Sequence, residues 1–232
     1  MGKRIEGFEE IAGTQVRELT TRLNAREIDY WVDLGILLGY IREGGPIGWD
    51  DDIELGIWAK DLDDCIEYAE GLDGYSVYTK SYKDLIACVG LSPTYDDRVG
   101  VNVLVFYEGD EYAYSVSQRR VGSGLPLARL HSAYHWYVHR NSIMDPVANN
   151  LTEIRTRRVP KRFYKELVFR EEFQFYVPGS VEEYLEHRYG DWRTPDREYS
   201  FWEDSGAIVD ARPEELVDID TLTPGSVDSS RQ

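Results

Sequence analysis

With 232 residues, 42% of them hydrophobic, the chain is long enough to bury one sizeable core and too short to call for two. Its net charge of −17, from 43 acidic against 26 basic residues, argues against a nucleic-acid partner, because phosphate backbones are bound by a basic footprint. So much carboxylate with so little lysine suits a halophilic protein, working where salt screens its self-repulsion, the other reading being a mesophilic protein that is simply acidic, and the absence of a spanning apolar run or an apolar signal core after Met1 sets the expected location as the cytoplasm.

Apolar residues at Phe8, Ile11, Val16, Leu19 and Leu23 recur at roughly helical spacing, which predicts an amphipathic helix from about Glu6 to Arg26. Ile28 to Asp33 reads as a strand. Ile36 to Arg42 is apolar enough for a buried helix, and Glu43-Gly44-Gly45-Pro46 stops it. Asp52 to Trp58 alternates as a strand does, and Asp61 to Leu72 reads as a second amphipathic helix with Leu62, Cys65, Ile66 and Ala69 on one side. Strands follow at Tyr75–Tyr78, Leu85–Leu91 and Val99–Tyr107, and the Glu108-Gly109-Asp110 turn leads into another at Tyr112–Val116. Cys65 and Cys88 lack the spacing of a metal or redox pair and read as buried thiols.

Residues from about Arg119 to Glu153 support no assignment. Ser180-Val181-Glu182-Glu183 has the pattern of a capping box, which predicts a helix over Val181 to Tyr189, ended by Gly190. From Glu203 onward the chain is acidic and poor in large apolar residues. The expected organisation is therefore one domain over 1–203 and a disordered tail over 204–232.

The candidate site is the run Trp49-Asp50-Asp51-Asp52-Ile53-Glu54. In an extended strand Asp50, Asp52 and Glu54 point one way while Asp51 and Ile53 point the other. Three carboxylates on one face repel and raise one another's pKa unless a cation sits among them, and hard oxygen ligands suit Mg²⁺ or Mn²⁺. The alternative is an acidic surface turn in an already acidic protein. Upstream, the helix after Asp33 and Gly35 offers free N-terminal amides to a phosphate. Arg42 lies between that helix start and the acidic strand, placed to bind an anionic substrate or to pair with a carboxylate. The densest basic stretch is Arg155, Arg157, Arg158, Lys161 and Arg162, from which Arg158 and Lys161 are candidates for phosphate binding; a solvated charged face is the other reading. His131, His135 and His139 share a helical face among aromatics and read as packing rather than zinc ligands.

Three blocks resemble a known family. Asp33 to Arg42 with Pro46 to Glu54, then Val101 to Glu108, then Val177-Pro178 through Tyr184-Leu185 to Tyr189-Gly190-Asp191-Trp192-Arg193-Thr194-Pro195, are similar in order and spacing to the LicD/fukutin-related signature. The resemblance spans about residues 25 to 195. It implies an α+β, nucleotidyltransferase-like mixed sheet flanked by helices, with a mostly helical or irregular C-terminal part. It also implies transfer of phosphocholine or a phospho-alditol from a CDP-linked donor to a glycan or lipid-linked sugar hydroxyl. Such acceptors would bring peripheral membrane association. On this resemblance Asp50 and Asp52 hold the metal, Glu54 assists, and Asn102 occupies the place of a third acid. Three departures stand out: an amide at Asn102 cannot act as a base, Leu34 and Ile36 replace residues that include a phosphate-contacting hydroxyl, and Glu54 replaces an aspartate. A non-catalytic nucleotide- or glycan-binding protein, or a nucleotidyltransferase, is the alternative.

Overall fold

The computed structural model describes residues 6–95, 97–120 and 152–222. Helix α1 (Phe8–Ala25) buries Phe8, Ala12, Val16, Leu19 and Leu23, the stripe its spacing predicts. After β1 (Tyr30–Val32), α2 (Leu34–Glu43) is capped by Asp33, whose carboxylate accepts from the Leu34 amide at 2.8 Å, and stopped by Gly44 at a φ of 81°. Leu34 itself takes a left-handed φ of 48°, a conformation that costs a branched side chain roughly 1–2 kcal/mol. Then come β2 (Asp52–Trp58), α3 (Leu62–Glu70), β3 (Tyr75–Tyr82), β4 (Leu85–Pro93), β5 (Gly100–Glu108) and β6 (Tyr112–Arg120). The same elements are readable in the sequence, with ends that differ by a few residues.

Beyond the segment outside the described residues, which contains His131, His135 and His139, the chain adds β7 (Thr152–Pro160) and a hairpin of β8 (Leu167–Arg170) with β9 (Phe175–Pro178). Helix α4 (Val181–Tyr189) follows, then β10 (Ile208–Val209), α5 (Pro213–Leu216) and α6 (Ile219–Leu222). The C-terminal part thus supplies strands as well as helices to the α+β fold. Gly190 ends α4 as expected, at a φ of 64°. Ser180 makes no side-chain cap bond, so the capping box forms in sequence only.

The sheet is mixed. Strand β5 lies parallel to β2, with Asp52 opposite Gly100 and Glu54 opposite Asn102, while β1 runs antiparallel on β2's other edge. Strand β4 flanks the first half of β5 and carries β3, whereas the end of β5 pairs with β6, from which β7 and β10 continue. Parallel neighbours must be joined by a crossover. Between β2 and β5 that crossover contains α3 and the β3–β4 hairpin. The odd-numbered residues Ile53, Leu55, Ile57, Val101, Val103 and Val105 face one core together with α1. Of the alternate residues, Asp52, Glu54 and Asn102 lie at the site, while Trp58 and Phe106 pack further along with Trp31 and Tyr164 in an aromatic cluster. Cys65 and Cys88 are free and buried, and burial pushes their thiols up to about 12 and about 11.

Part of the acidic tail is ordered. Ile208 and Val209 pair with Arg157 and Thr156, the Arg158 amide donates to the Ala207 carbonyl at 2.8 Å, and Ala207, Pro213 and Leu222 are buried. A few small apolar contacts and backbone bonds to β7 hold a segment whose composition alone predicts disorder. Residues 223–232 lie outside the described residues. Among the described residues no helix is long and apolar enough to cross a membrane.

Candidate metal and phosphate site

The acidic run does not begin as a strand. Asp50 sits in a turn, its amide donating to the Ile47 carbonyl at 3.0 Å, and the Asp51 amide donates to Asp50 Oδ1 at 3.1 Å; alternation starts only at Asp52. Asp51 therefore does not point away, as a continuous strand would require. Oxygens of Asp50, Asp51 and Asp52 all lie within 4.8 Å of one another. Glu54 sits deeper, one residue pair further along β2, with Oε2 buried and without a hydrogen-bond partner.

This packing is electrostatically costly for the protein alone. Burial, then the neighbouring Asp52 and Asp51, push the Asp50 carboxyl up to about 7. Burial and Asp51 raise Asp52 as well, and burial with Asp52, Asp50 and Asp33 holds Glu54 well above the usual carboxylate range, although the Arg157 guanidinium opposes this. Converging carboxylates with little compensation fit a hard divalent cation, which removes the repulsion that raises them.

Gly35 shows why the start of α2 meets this cluster. A Cβ at Gly35 would overlap Asp50 Oδ2, so only glycine lets the carboxylate lie against the first turn of the helix. The first amides of a helix lack intrahelical acceptors and favour a phosphate. Asn102, on the neighbouring strand, donates from Nδ2 to Asp52 Oδ2 at 2.6 Å and accepts from the Cys88 thiol at 3.5 Å. An amide here orients Asp52 without adding a further carboxylate to the four already present.

A cavity of about 770 Å³ opens beside these groups, lined by Leu34, Gly35, Arg42, Trp49, Asp50 and Glu54 on one side and by the stretch from Tyr189 to Phe201 on the other. That volume is within the range of small-molecule sites. Arg42 does reach the cavity, but it is also engaged, with Nη2 and Nε on Glu43 Oε1 at 2.6 and 2.9 Å and Nη1 on the Trp192 carbonyl at 3.3 Å. Trp49 is 46% exposed at the cavity wall, and the Arg197 guanidinium stacks 4.9 Å from its ring centre.

The structure brings Asp50, Asp52, Glu54, Asn102, Gly35 and Arg42 together and leaves Arg158 and Lys161 apart from them. Lys161 donates to the Gly109 carbonyl at 3.0 Å, and Arg158 stacks on Tyr112 at 4.7 Å. Gly109 lies seven residues beyond Asn102, roughly 20 Å along extended chain. Strand alternation splits the basic run: Arg157 turns inward and is 3% exposed, while Arg158 takes the other face; Arg155, on the face of Arg157, pairs with Glu153 at 2.8 Å. Sequence reasoning missed Asp51 as part of the cluster, and it missed Arg197, Tyr199 and Phe201 on the cavity wall. The Trp192-Arg193-Thr194-Pro195 block was the available signal, since it continues directly into that wall.

Residues 27–179, well over half of the chain, match the family described as LicD/FKTN/FKRP, nucleotidyltransferase domain. The chain belongs to the LicD family. A shorter stretch of 55 residues is 42% identical to the ribitol 5-phosphate transferase FKRP of Mus musculus and, equally, to that of Homo sapiens. The matched stretch covers 24% of this chain and 11% of each FKRP. The LicD assignment agrees with the mixed sheet and with the position of the acidic run at the start of a central strand.

Proposed function

We propose that this LicD domain is a metal-dependent transferase that moves a substituted phosphate from a CDP-linked donor to a hydroxyl of a glycan or lipid-linked sugar. The observation that carries the reading is the convergence of Asp50, Asp51 and Asp52, with Asp50 against the helix start at Gly35 and on the wall of a cavity of ligand size. Ribitol 5-phosphate transfer by FKRP, similar over a short stretch, favours a phospho-alditol as the group moved.

Asp50 and Asp52 would hold Mg²⁺ or Mn²⁺, with Glu54 behind them supporting the pair. The bound cation supplies charge neutralisation to the phosphoryl group. The free amides of α2 take phosphate oxygens, and Arg42 and Arg197 offer positive charge on the cavity wall. Asn102 cannot accept the acceptor's proton, so Asp51, the exposed member of the three, is the group assigned to it. The protein acts in the cytoplasm and approaches lipid-linked acceptors peripherally.

Asn102 also favours a second reading, a non-catalytic LicD protein that binds a nucleotide or glycan. The two part on one experiment: thermal midpoints in high KCl, with and without Mn²⁺, across CDP-ribitol, CDP-choline, CDP-glycerol, CTP and ATP, followed by a turnover assay with the compound that binds. A ligand at 100 times its dissociation constant adds about 2.7 kcal/mol, or roughly 5–10 °C for a domain of this size. Release of CMP with transfer to an acceptor supports the transferase. Mn²⁺-dependent binding with no turnover supports the second reading.

A further inference from the structure

The cavity occupies one flank of the carboxylates, and the β3–β4 hairpin occupies the other. Along that hairpin Tyr78 stands opposite Gly90, Gly90 opposite Asn102, and Asn102 opposite Glu54, while Lys80 stands opposite Cys88. Directly paired residues share a face. Tyr78 and Lys80 therefore stand on the same face of the sheet as Asp52, Glu54 and Asn102. Gly90 has no side chain, and the Tyr78 ring fills its place, since a Cβ on Gly90 would overlap ring atoms of Tyr78. The ring thus lies across β4 toward Asn102. Lys80 Nζ rests 5.6 Å from the centre of that ring.

Lys80 is also connected to the acids through its pairing partner, because the Cys88 thiol donates to Asn102 and Asn102 donates to Asp52. The arginines placed at the site, Arg42 and Arg197, stand on the cavity flank, and Arg193 pairs with Glu182, so none of them serves the hairpin flank. Lys80 is exposed, and among the described residues it makes no ion pair. Three carboxylates with one divalent cation and a diphosphate still sum to a negative charge, so a further cation is needed where the phosphate sits.

We propose that Lys80, resting on Tyr78, is the cation that meets the substrate phosphate held at the carboxylates, and that Gly90 makes room for the ring that supports it. A lysine suits this place as a mobile point charge on a flexible stem. The assignment rests on the transferase reading above and adds to it a substrate-contacting residue on the flank away from the cavity.

The test is calorimetric titration of the Mn²⁺-loaded protein with inorganic pyrophosphate and with CDP-ribitol at fixed ionic strength, alongside Mn²⁺ binding followed by its electron paramagnetic resonance signal. Lys80→Ala and Lys80→Met are expected to keep Mn²⁺ binding and to weaken pyrophosphate about five- to twentyfold, with Lys80→Arg recovering most of the loss. Gly90→Ala, which displaces the ring, is expected to fall between. Pyrophosphate binding equal to wild type in Lys80→Ala overturns the assignment of Lys80 alone. A wild-type protein that binds Mn²⁺ and neither phosphate compound overturns the transferase reading and this inference with it.

Discussion

Asp33 and Asp50 both face the first turn of α2, and they live in opposite circumstances. Asp33 is wholly buried and fully satisfied: its carboxylate accepts from the Leu34 amide, from the Tyr184 hydroxyl and from Arg188 Nη2 at 3.3 Å. Asp50 is partly open to the cavity, lies among Asp51 and Asp52, and has its carboxyl pushed up to about 7. A carboxylate whose bonds are all supplied by the protein serves the fold. One whose charge the protein leaves uncompensated is waiting for something from outside. The same helix start is thus braced from inside by a neutralised acid and offered outward beside an unneutralised one.

The largest test of this contrast is Asp52→Asn. Nothing else in the cluster combines a place on the central strand with an orienting bond from Asn102. Turnover is expected to drop by about 10²–10³-fold, with Mn²⁺-dependent thermal stabilisation lost, while the metal-free fold stays intact. Retained turnover would sink the site.

Asp33→Ala should act on the fold instead. Removing it leaves Arg188, which is 0% exposed, and the nearby Arg157 as buried cations without their carboxylate, and it uncaps α2. The expected cost is about 3–5 kcal/mol in urea unfolding. A loss of activity without a loss of stability would move Asp33 from the brace to the chemistry.

Asp50→Asn should have the opposite sign in the metal-free protein, a small gain in stability, because it removes a repelling charge that nothing compensates. The pH dependence follows from the same cause. The folded carboxyl keeps its proton up to about 7, whereas its ordinary value is 3.8, so the folded state holds more protons between those limits. The metal-free contribution is therefore fully present below about pH 4 and is lost as pH rises through about 7. Mn²⁺ affinity should rise over the same interval, since the ligand must first give up its proton. Midpoints measured with and without Mn²⁺ from pH 4.5 to 8 should diverge; parallel curves would remove Asp50 from the ligand set.

How much of this was legible depended on whether the controlling contact was local. Alternation from Asp52 to Trp58 and the breakers after Arg42 are local, and β2 and α2 fall where they predict. The direction of Asp51 was not legible, because a turn bond from Asp50 to Ile47 delays the strand by two residues. Nor was the order of residues 204–222, which hangs on pairing with β7 and on Glu214 accepting from Tyr82 and Lys83 at 2.8 Å. Lys80 gave no local signal at all. Its place near Asp52 follows from the register of four strands, β3, β4, β5 and β2.

The smallest expected effect concerns the basic stretch on β7, and it separates composition from position. Lys161 and Arg158 belong to the densest positive run in the chain, so a reading from charge alone puts an anionic substrate there. Position puts them beside Gly109 and Tyr112, at the end of β5 remote from Asn102. Lys161→Ala should leave KM for the donor unchanged and shift stability by no more than about 0.5 kcal/mol, the cost of one partly buried bond to a carbonyl. Lys80→Ala, a single exposed lysine outside any basic run, should weaken phosphate binding clearly more. If the order were reversed, local charge density would outweigh sheet register as the guide to where this LicD domain meets its substrate.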